Sequence, residues 1–215
     1  MDLQPLGDRA FLARFAEVAD ARAWASAVRE AQLPGVVDVV LAFHSAAVHA
    51  DPARTDLDAL DARLRSIAPE AEPRAAGNLV RLPVRYDGDD LPEVAGRLGL
   101  TVAEVIAEHA GRVYDVLAIG FLPGFPYAGD LPGRLAGLPR RESPRTRVPA
   151  GSVAIAGCQT GVYPGESPGG WHLLGRTPLR IVDPARGHFP IRAGDRLRFE
   201  PIDAGQFDRW RGCVL

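Results

Sequence analysis

Apolar positions in the first third of the chain follow a helical period in some stretches and a strand-like pattern in others. Leu57, Leu60, Leu64 and Ile67 recur every three or four residues, which predicts an amphipathic helix, whereas the run VVDVVLAF predicts a strand. The predicted elements are, in order, a strand at 9–15, a helix at 20–32 capped by Asp20, strands at 36–43 and 46–49, a helix at 56–67 and a strand at 78–86. This β-α-β-β-α-β order is typical of a ferredoxin-like split βαβ sandwich, in which the last strand either closes the unit or opens the next one.

A polar, proline-containing stretch at 69–77 is the best candidate for a linker. It predicts a small N-terminal α/β domain at 1–77 and a second domain at 78–215. The first elements predicted in the second domain are helices at 90–97 and 101–110 and a strand at 112–119. The second of these helices opens with a capping box formed by Thr101 and Glu104.

Residues 120–178 are dense in turn-forming residues, with 12 of the 23 glycines and 9 of the 19 prolines. Short strands are predicted at 152–156, 171–175 and 179–182, and as two pieces within 190–201. Many short strands between such turns predict a sandwich or barrel, which makes the fold class α+β. The uncharged stretch GFLPGFPYAG at 120–129 carries three aromatic rings, and we expect it to be a rigid loop leaving a strand.

The composition excludes several classes of site. All 25 basic residues are arginines, so the chain cannot supply a Walker-A, Schiff-base or biotinylated lysine. The net charge of −2 without a basic stripe argues against a nucleic-acid partner. Because the chain shows neither an 18-residue apolar run nor a secretory signal, we expect a cytoplasmic protein with no membrane span. Cys158 and Cys213 have no metal or redox spacing, and we expect no metal site.

Four arginines fall within residues 140–147, between prolines that stiffen the backbone. On an extended segment Arg145 and Arg147 point the same way, and two guanidinium groups on one face suit a carboxylate or a phosphate. The alternative is a solvated basic edge, or ion pairs with the other domain.

A second polar cluster lies in the glycine-rich stretch 157–171. It carries five polar side chains: Gln159, Thr160, Tyr163, Glu166 and Ser167. Glycine allows backbone to approach a ligand closely, so these side chains are candidates for a binding loop. No Lys-Ser/Thr follows the glycines, which excludes a P-loop. The alternative is a system of β-turns that closes one end of a barrel.

The five histidines give weaker signals. His44 and His49 lie five residues apart, which places them on opposite sides of a strand rather than in a metal pair. His109 ends a helix, where a cation suits the helix dipole. His172 follows the polar cluster and could act as a base.

Four stretches of the chain carry a family resemblance: GFLPGFPYAG, PRRESPRTRVPAGSVAIAG, QTGVYPGESPGGWHLLGRTP and IRAGDRLRF. They resemble the 5-oxoprolinase B-subunit family, also described as allophanate hydrolase subunit 1 or as a KipI-like inhibitor of a sporulation histidine kinase. The resemblance covers essentially the whole chain and is most specific between residues 119 and 180. It implies that the second domain is a cyclophilin-like β-barrel.

The resemblance also implies an activity. The chain is expected to be a non-autonomous subunit of an ATP-dependent 5-oxoprolinase, which opens the cyclic amide of 5-oxoproline (pyroglutamate) to give L-glutamate. The expected partners are the paralogous 5-oxoprolinase C subunit and the A subunit of the same enzyme. Because this chain has neither lysine nor a P-loop, we expect ATP to bind at a site shared with those partners.

Roles for individual residues follow as hypotheses. Arg145 and Arg147 bind the substrate carboxylate or a phosphate. Glu166 or His172 moves protons. Gln159, Thr160, Tyr163 and Ser167 line the substrate or phosphate pocket with hydrogen-bonding groups. The apolar wall of the pocket is formed by Phe121, Phe125, Tyr127 and Trp171. Cys158 is given no role.

Two other functions stay open. The chain could bind and inhibit a sensor histidine kinase, which requires an exposed apolar patch. It could also be a companion subunit in urea or allophanate degradation, although it contains neither a biotin lysine nor an amidase Ser-Ser-Lys set. Prolyl isomerase activity is the weakest interpretation, because a shared fold does not carry function.

Overall fold

The computed structural model describes residues 1–68 and 77–215. The chain divides into two compact units, Met1–Ala76 and Gly77–Leu215. Nearly all of the predicted linker at 69–77 lies outside the described residues. Every helix among those residues is too short or too polar to cross a membrane.

The first unit combines a four-stranded antiparallel sheet with two helices. Its elements are β1 (Asp2–Pro5), β2 (Ala10–Arg14), α1 (Val18–Glu30), β3 (Val36–Ala42), β4 (Ser45–Ala50) and α2 (Leu57–Ser66). The strands follow the order β1-β2-β4-β3, and each neighbouring pair is antiparallel. Trp24 of α1 and Leu64 of α2 are fully buried. A mixed α/β unit is therefore present, as the periodicity predicts.

The β-α-β-β-α-β order is not realised within this unit. The strand predicted at 78–86 pairs instead with Arg196–Pro201 in the second unit, so it opens that unit rather than closing the first. The fourth strand of the first sheet is β1, which the sequence did not predict because it is four residues long and buries only Leu3. The predicted cap Asp20 is also wrong: Glu17 precedes α1 without a side-chain cap, and Asp20 lies in the first helical turn.

The second unit contains most of the strands. Its elements are β5 (Leu79–Val84), α3 (Leu91–Leu98), α4 (Val102–Ala110), β6 (Val113–Ile119), β7 (Pro126–Gly129), β8 (Arg145–Val148), β9 (Ser152–Ala156), β10 (Gln159–Val162), β11 (Ser167–Gly169), β12 (His172–Arg176), β13 (Arg196–Pro201) and α5 (Ala204–Trp210). The capping box of Thr101 and Glu104 at the start of α4 is confirmed.

Seven of these strands form a ring of backbone pairing. Their order is β5-β13-β6-β7-β10-β9-β12, with β5 and β13 parallel and the other pairs antiparallel. Arg85, which follows β5, then bridges Arg176 of β12 through two backbone hydrogen bonds of 2.9 Å, so the path returns to its first strand. The two remaining strands, β8 and β11, pair with each other beside this ring.

Three sequence expectations fail in this unit. GFLPGFPYAG is not entirely a loop, because its last four residues form β7 between β6 and β10. Residues 179–182 make only a single bridge, from Arg180 to Val214, and are not a strand. Only the second of the two pieces predicted within 190–201 is a strand, because a turn occupies the residues before Arg196.

The strand β9 lies between two apolar clusters. Val153 and Ile155 point into the main core, which also contains Tyr114 and Phe199. Ala154 and Ala156 alternate with them and face a smaller cluster of aromatic rings around Phe125. All five residues of β9 are buried as a result, and the aromatic cluster is held rigidly against the ring.

Candidate functional site

A buried carboxylate holds residues 139–147, the arginine segment, in place. Asp90, immediately before α3, is 2% exposed. Its Oδ1 accepts hydrogen bonds from Arg141 Nη1 (2.8 Å) and Arg145 Nη2 (2.6 Å), and its Oδ2 accepts one from the backbone N–H of Leu173 (2.7 Å). Burial raises the pKa of Asp90, but the hydrogen bonds from Arg145 and Leu173 and the nearby arginine charges outweigh it. The pKa is therefore lowered overall and the group is a carboxylate.

The turn before α3 brings Asp90 to strand β12. Gly88 packs directly on the backbone of β12, where a Cβ atom would overlap the carbonyl of Leu173. The backbone N–H of Asp90 donates to that same carbonyl (3.2 Å). Although Asp90 occupies the N-cap position of α3, its side chain caps no helix N–H. The sequence pattern did not reveal this residue because it lies 51 positions before Arg141.

The two arginines predicted to share one face pair with different acids. Arg145 binds Asp90, whereas Arg147 Nε lies 2.6 Å from Glu166 Oε2. Both side chains of the second pair are largely exposed. The backbone of the segment is anchored where Arg141 N–H donates to the carbonyl of Gly170 (2.8 Å). The alternative interpretation was that the arginines form ion pairs with the other domain. Arg145 and Arg147 do form ion pairs, but with acids of their own unit.

The four predicted wall residues lie together. Phe125 is buried at the centre, with ring centroids 5.7 Å from Phe121, 4.9 Å from Tyr127 and 5.5 Å from Trp171. Phe121 is 59% exposed and holds a left-handed backbone conformation, with φ of 61°. A bulky residue at positive φ is a genuine outlier and marks a locally constrained turn.

Two glycines in the polar stretch 157–171 pack closely against aromatic rings. A Cβ atom on Gly161 would lie 2.8 Å from Phe125 Cζ, and one on Gly169 would overlap the hydroxyl of Tyr163. At these two positions the glycine therefore makes room for an aromatic ring of the same chain rather than, as was expected, for a ligand.

Tyr163 joins the aromatic cluster to the arginine segment. Its ring lies 5.2 Å from that of Phe125. Burial raises the pKa of its phenol, while the Trp171 backbone and the charges of Arg140 and Arg145 act in the opposite direction. Both guanidinium charges therefore act on the phenol electrostatically. Arg140 is exposed and forms no ion pair with any residue in 1–68 or 77–215.

His172 lies beneath this segment. It is fully buried, and its Nε2 is 2.9 Å from the carbonyl of Pro139. A carbonyl only accepts, so Nε2 carries a proton and donates it. Nδ1 is buried without a partner among the described residues. His172 therefore supports the position of the arginine segment, and its role in proton transfer stays a prediction.

Thr160 belongs to a buried hydrogen-bond chain instead. Its hydroxyl donates to the carbonyl of Ala154 (3.2 Å) and lies 2.8 Å from His109 Nε2. The hydroxyl of Tyr86 is 2.7 Å from the other ring nitrogen, Nδ1. Burial lowers the pKa of His109 to about 3, so the expected cation at the end of α4 is wrong. The remaining polar candidates, Gln159 and Ser167, begin strands β10 and β11.

Comparison with known proteins identifies the family. The family described as carboxyltransferase domain, subdomain C and D, matches residues 1–191. The 5-oxoprolinase B subunit of Escherichia coli O157:H7 is 42% identical over 190 residues, covering 86% of each chain. The 5-oxoprolinase B subunit of Bacillus subtilis (strain 168) is 36% identical over 233 aligned positions, covering 97% of this chain and 96% of that one. The chain belongs to the 5-oxoprolinase B-subunit family.

A solved structure agrees with this membership. TTHA0988 is 44% identical, with a TM-score of 0.82, over 91% of this chain. The match covers 41% of TTHA0988, so the chain spans less than half of that protein. Within this member of the 5-oxoprolinase B-subunit family, three of the four stretches that carried the resemblance build the aromatic cluster and the arginine segment, and the fourth leads into β13.

An open cleft borders the same site in this 5-oxoprolinase B-subunit family member. Its volume is about 500 Å³. The lining residues come from α3 and the arginine segment: Glu93, Arg97, Pro139, Arg140, Arg141, Glu142 and Ser143. The described residues contain no group of three His, Cys, Asp or Glu side chains that could hold a metal ion. The site is therefore built from arginine, carboxylate and aromatic groups.

Proposed function

We propose that the chain is the B subunit of an ATP-dependent 5-oxoprolinase that hydrolyses 5-oxoproline to L-glutamate together with the C and A subunits. The observation that carries the proposal is the identity of 42% and 36% to two proteins named as the B subunit of 5-oxoprolinase, over 86% and 97% of this chain. The cytoplasm is the proposed location. The finer description of the second unit, a cyclophilin-like barrel, is part of the same proposal.

The proposed reaction requires a binding site for an anion. The amide in an unstrained five-membered ring is a poor electrophile, and ATP bound in the assembled complex would supply a phosphoryl group that activates the amide oxygen. The substrate also carries one carboxylate. Arg145 is fixed on Asp90, and Arg140 forms no ion pair among the described residues; the charges of both act on the Tyr163 phenol. We assign the substrate carboxylate to this pair, because guanidinium groups bind carboxylates through charged hydrogen bonds.

The other predicted roles fit this site to different degrees. Tyr163 and Trp171 pack against Phe125, and the exposed ring of Phe121 packs against Tyr163 to complete the apolar side. Arg147 and Glu166 form a mutual ion pair near the surface, where they are available to a partner subunit. Proton transfer by Glu166 or His172 remains part of the proposal.

The described residues do not fit the triphosphate of ATP on their own. Among the described residues, Arg140 is the guanidinium at the cleft that forms no ion pair, and the same cleft carries the carboxylates of Glu93 and Glu142. A triphosphate needs several converging donors, which one guanidinium does not supply. We therefore propose that the nucleotide site is completed by the partner subunits.

The direct test is to co-express the chain with its C and A partners and to measure glutamate release from 5-oxoproline with ATP. We expect Arg145→Ala to lower kcat/KM by about 100-fold, since a charged hydrogen bond to substrate contributes about 1.5–3 kcal/mol. Arg140→Ala is tested beside it. Arg81→Ala is the matched control, because among the described residues Arg81 pairs only with the partly exposed Glu200. If both Arg145→Ala and Arg140→Ala leave kcat/KM unchanged, the anion site is misassigned.

The kinase-inhibitor and urea-degradation functions stay predictions, since no contact in the site favours either one. Kinase autophosphorylation with and without the protein tests the first of them.

A further inference from the structure

We infer that Asp90 is a positioning residue for the anion site, acting on substrate through Arg145. This inference rests on the proposed function. Asp90 lies on the turn before α3, outside every motif that the sequence pattern singled out. It nevertheless accepts hydrogen bonds from two arginines of the segment and from strand β12.

The first argument is the geometry of its donors. Removing a carboxylate from water is costly unless hydrogen bonds replace its hydration. Asp90 has three such bonds of 2.6–2.8 Å, and none of them caps its own helix. The carboxylate therefore connects the start of α3, the arginine segment and β12. Its removal frees Arg145 from the only acidic side chain with which it pairs among the described residues.

The second argument is an unsatisfied donor beside it. Arg145 uses Nη2 to bind Asp90, while its Nη1 is buried without an acceptor among the described residues. Native structures rarely leave a buried charged donor unpaired, so such a group indicates an acceptor that arrives with a ligand. By holding one nitrogen, Asp90 orients the other toward that acceptor.

The surrounding charges show why fixing the arginine matters. Asp89 and Glu93 also attract the Arg145 guanidinium electrostatically, and Glu93 Oε2 lies 3.2 Å from Arg141 Nη1. An untethered Arg145 could pair with these carboxylates. Asp90 prevents this competition because it is buried and already oriented by the Leu173 amide.

The test compares Asp90→Asn with Asp195→Asn in the assembled complex. Asp195 is the matched control: it is likewise buried and accepts two backbone N–H bonds, from Asn78 (2.9 Å) and Arg192 (2.8 Å), but binds no arginine side chain among the described residues. We expect both variants to lower the melting temperature. Only Asp90→Asn should raise KM for 5-oxoproline, by about tenfold, with kcat nearly unchanged.

A double-mutant comparison isolates the route of the effect. If Asp90 acts through Arg145, adding Asp90→Asn to Arg145→Met should change KM little further. Additive effects, or a KM for Asp90→Asn that is unchanged or lower, would show that Asp90 only neutralises the arginines, and would overturn the inference. If the wild-type complex releases no glutamate, the proposed function fails instead.

A measurement that does not depend on enzyme activity tests the inference if the complex releases no glutamate or if Asp90→Asn does not fold. Nitrogen-15 NMR of the guanidinium groups in the wild-type chain, assigned with Arg145→Lys, should show slowly rotating and slowly exchanging Nη protons for Arg145. Fast exchange, like that of exposed Arg81, would overturn the inference.

Discussion

Each nitrogen of the buried His109 ring has one hydrogen-bonding partner. Because the Thr160 hydroxyl donates to the Ala154 carbonyl, it accepts from His109 Nε2–H, and Nδ1 accepts the Tyr86 hydroxyl. The ring is also stacked on Phe199, with centroids 4.5 Å apart. The neutral ring satisfies every bond in this chain, whereas a second proton, on Nδ1, would displace the hydrogen bond that Tyr86 donates.

This arrangement predicts sensitivity to acid. Burial lowers the pKa of His109 from 6.5 to about 3, so the unfolded chain takes up the proton first as pH falls. The contribution of a neutral His109 to the free energy of unfolding is complete above pH 6.5 and is lost progressively toward pH 3. Between pH 7.5 and pH 5 we expect the free energy of unfolding to fall by about 2 kcal/mol through this residue.

Urea denaturation at the two pH values, in the wild type and in His109→Gln, measures this effect. The variant should lose about 2 kcal/mol less than the wild type over the same interval. An identical loss in both proteins would show that other groups cause the acid sensitivity.

At the scale of elements, the sequence pattern predicted those helices and strands that depend on residues close together in the chain. The capping box at Thr101, the helical spacing around Leu60 and the buried strand β9 all depend on neighbours in sequence. Strand β7 was missed because it contains Pro126 and is short, and its place is set by pairing with β6 and β10. Asp90 was missed for the same reason: its partners lie 51, 55 and 83 residues away.

The stretch between β9 and β12 gives a test of element packing. In Gly161→Ala the new methyl group would lie 2.8 Å from both Phe125 Cζ and the Pro126 carbonyl, and the backbone atom cannot give way easily. Overpacking of this kind costs about 1–3 kcal/mol, measurable as a lower denaturation midpoint. Gly165→Ala is the matched control, since nothing lies within 4 Å of its Cβ position. Equal stability of the two variants would contradict the packing described for Phe125.

For the whole molecule, the second unit depends on its last strand. β13 pairs with β5 on one side and with β6 on the other, and its Leu197 and Phe199 are fully buried. The first sheet instead draws all its strands from residues 2–50. A chain ending at residue 190 should therefore keep protease resistance within 1–68 and lose it within 79–190. Cooperative unfolding of 79–190 in the truncated chain, seen by hydrogen exchange, would show that the ring survives without β13.

The parallel pair of β5 and β13 also has a consequence for synthesis on the ribosome. Leu79 leaves the exit tunnel long before its partner Arg196, 117 residues later, has been translated. During that interval β5 lacks its parallel partner, and Tyr114 lacks the ring of Phe199 against which it packs. The first unit can acquire its strands while translation continues, whereas the second can close only after β13 has been synthesised. Nascent chains stalled before residue 196 should therefore be the species that recruits chaperones.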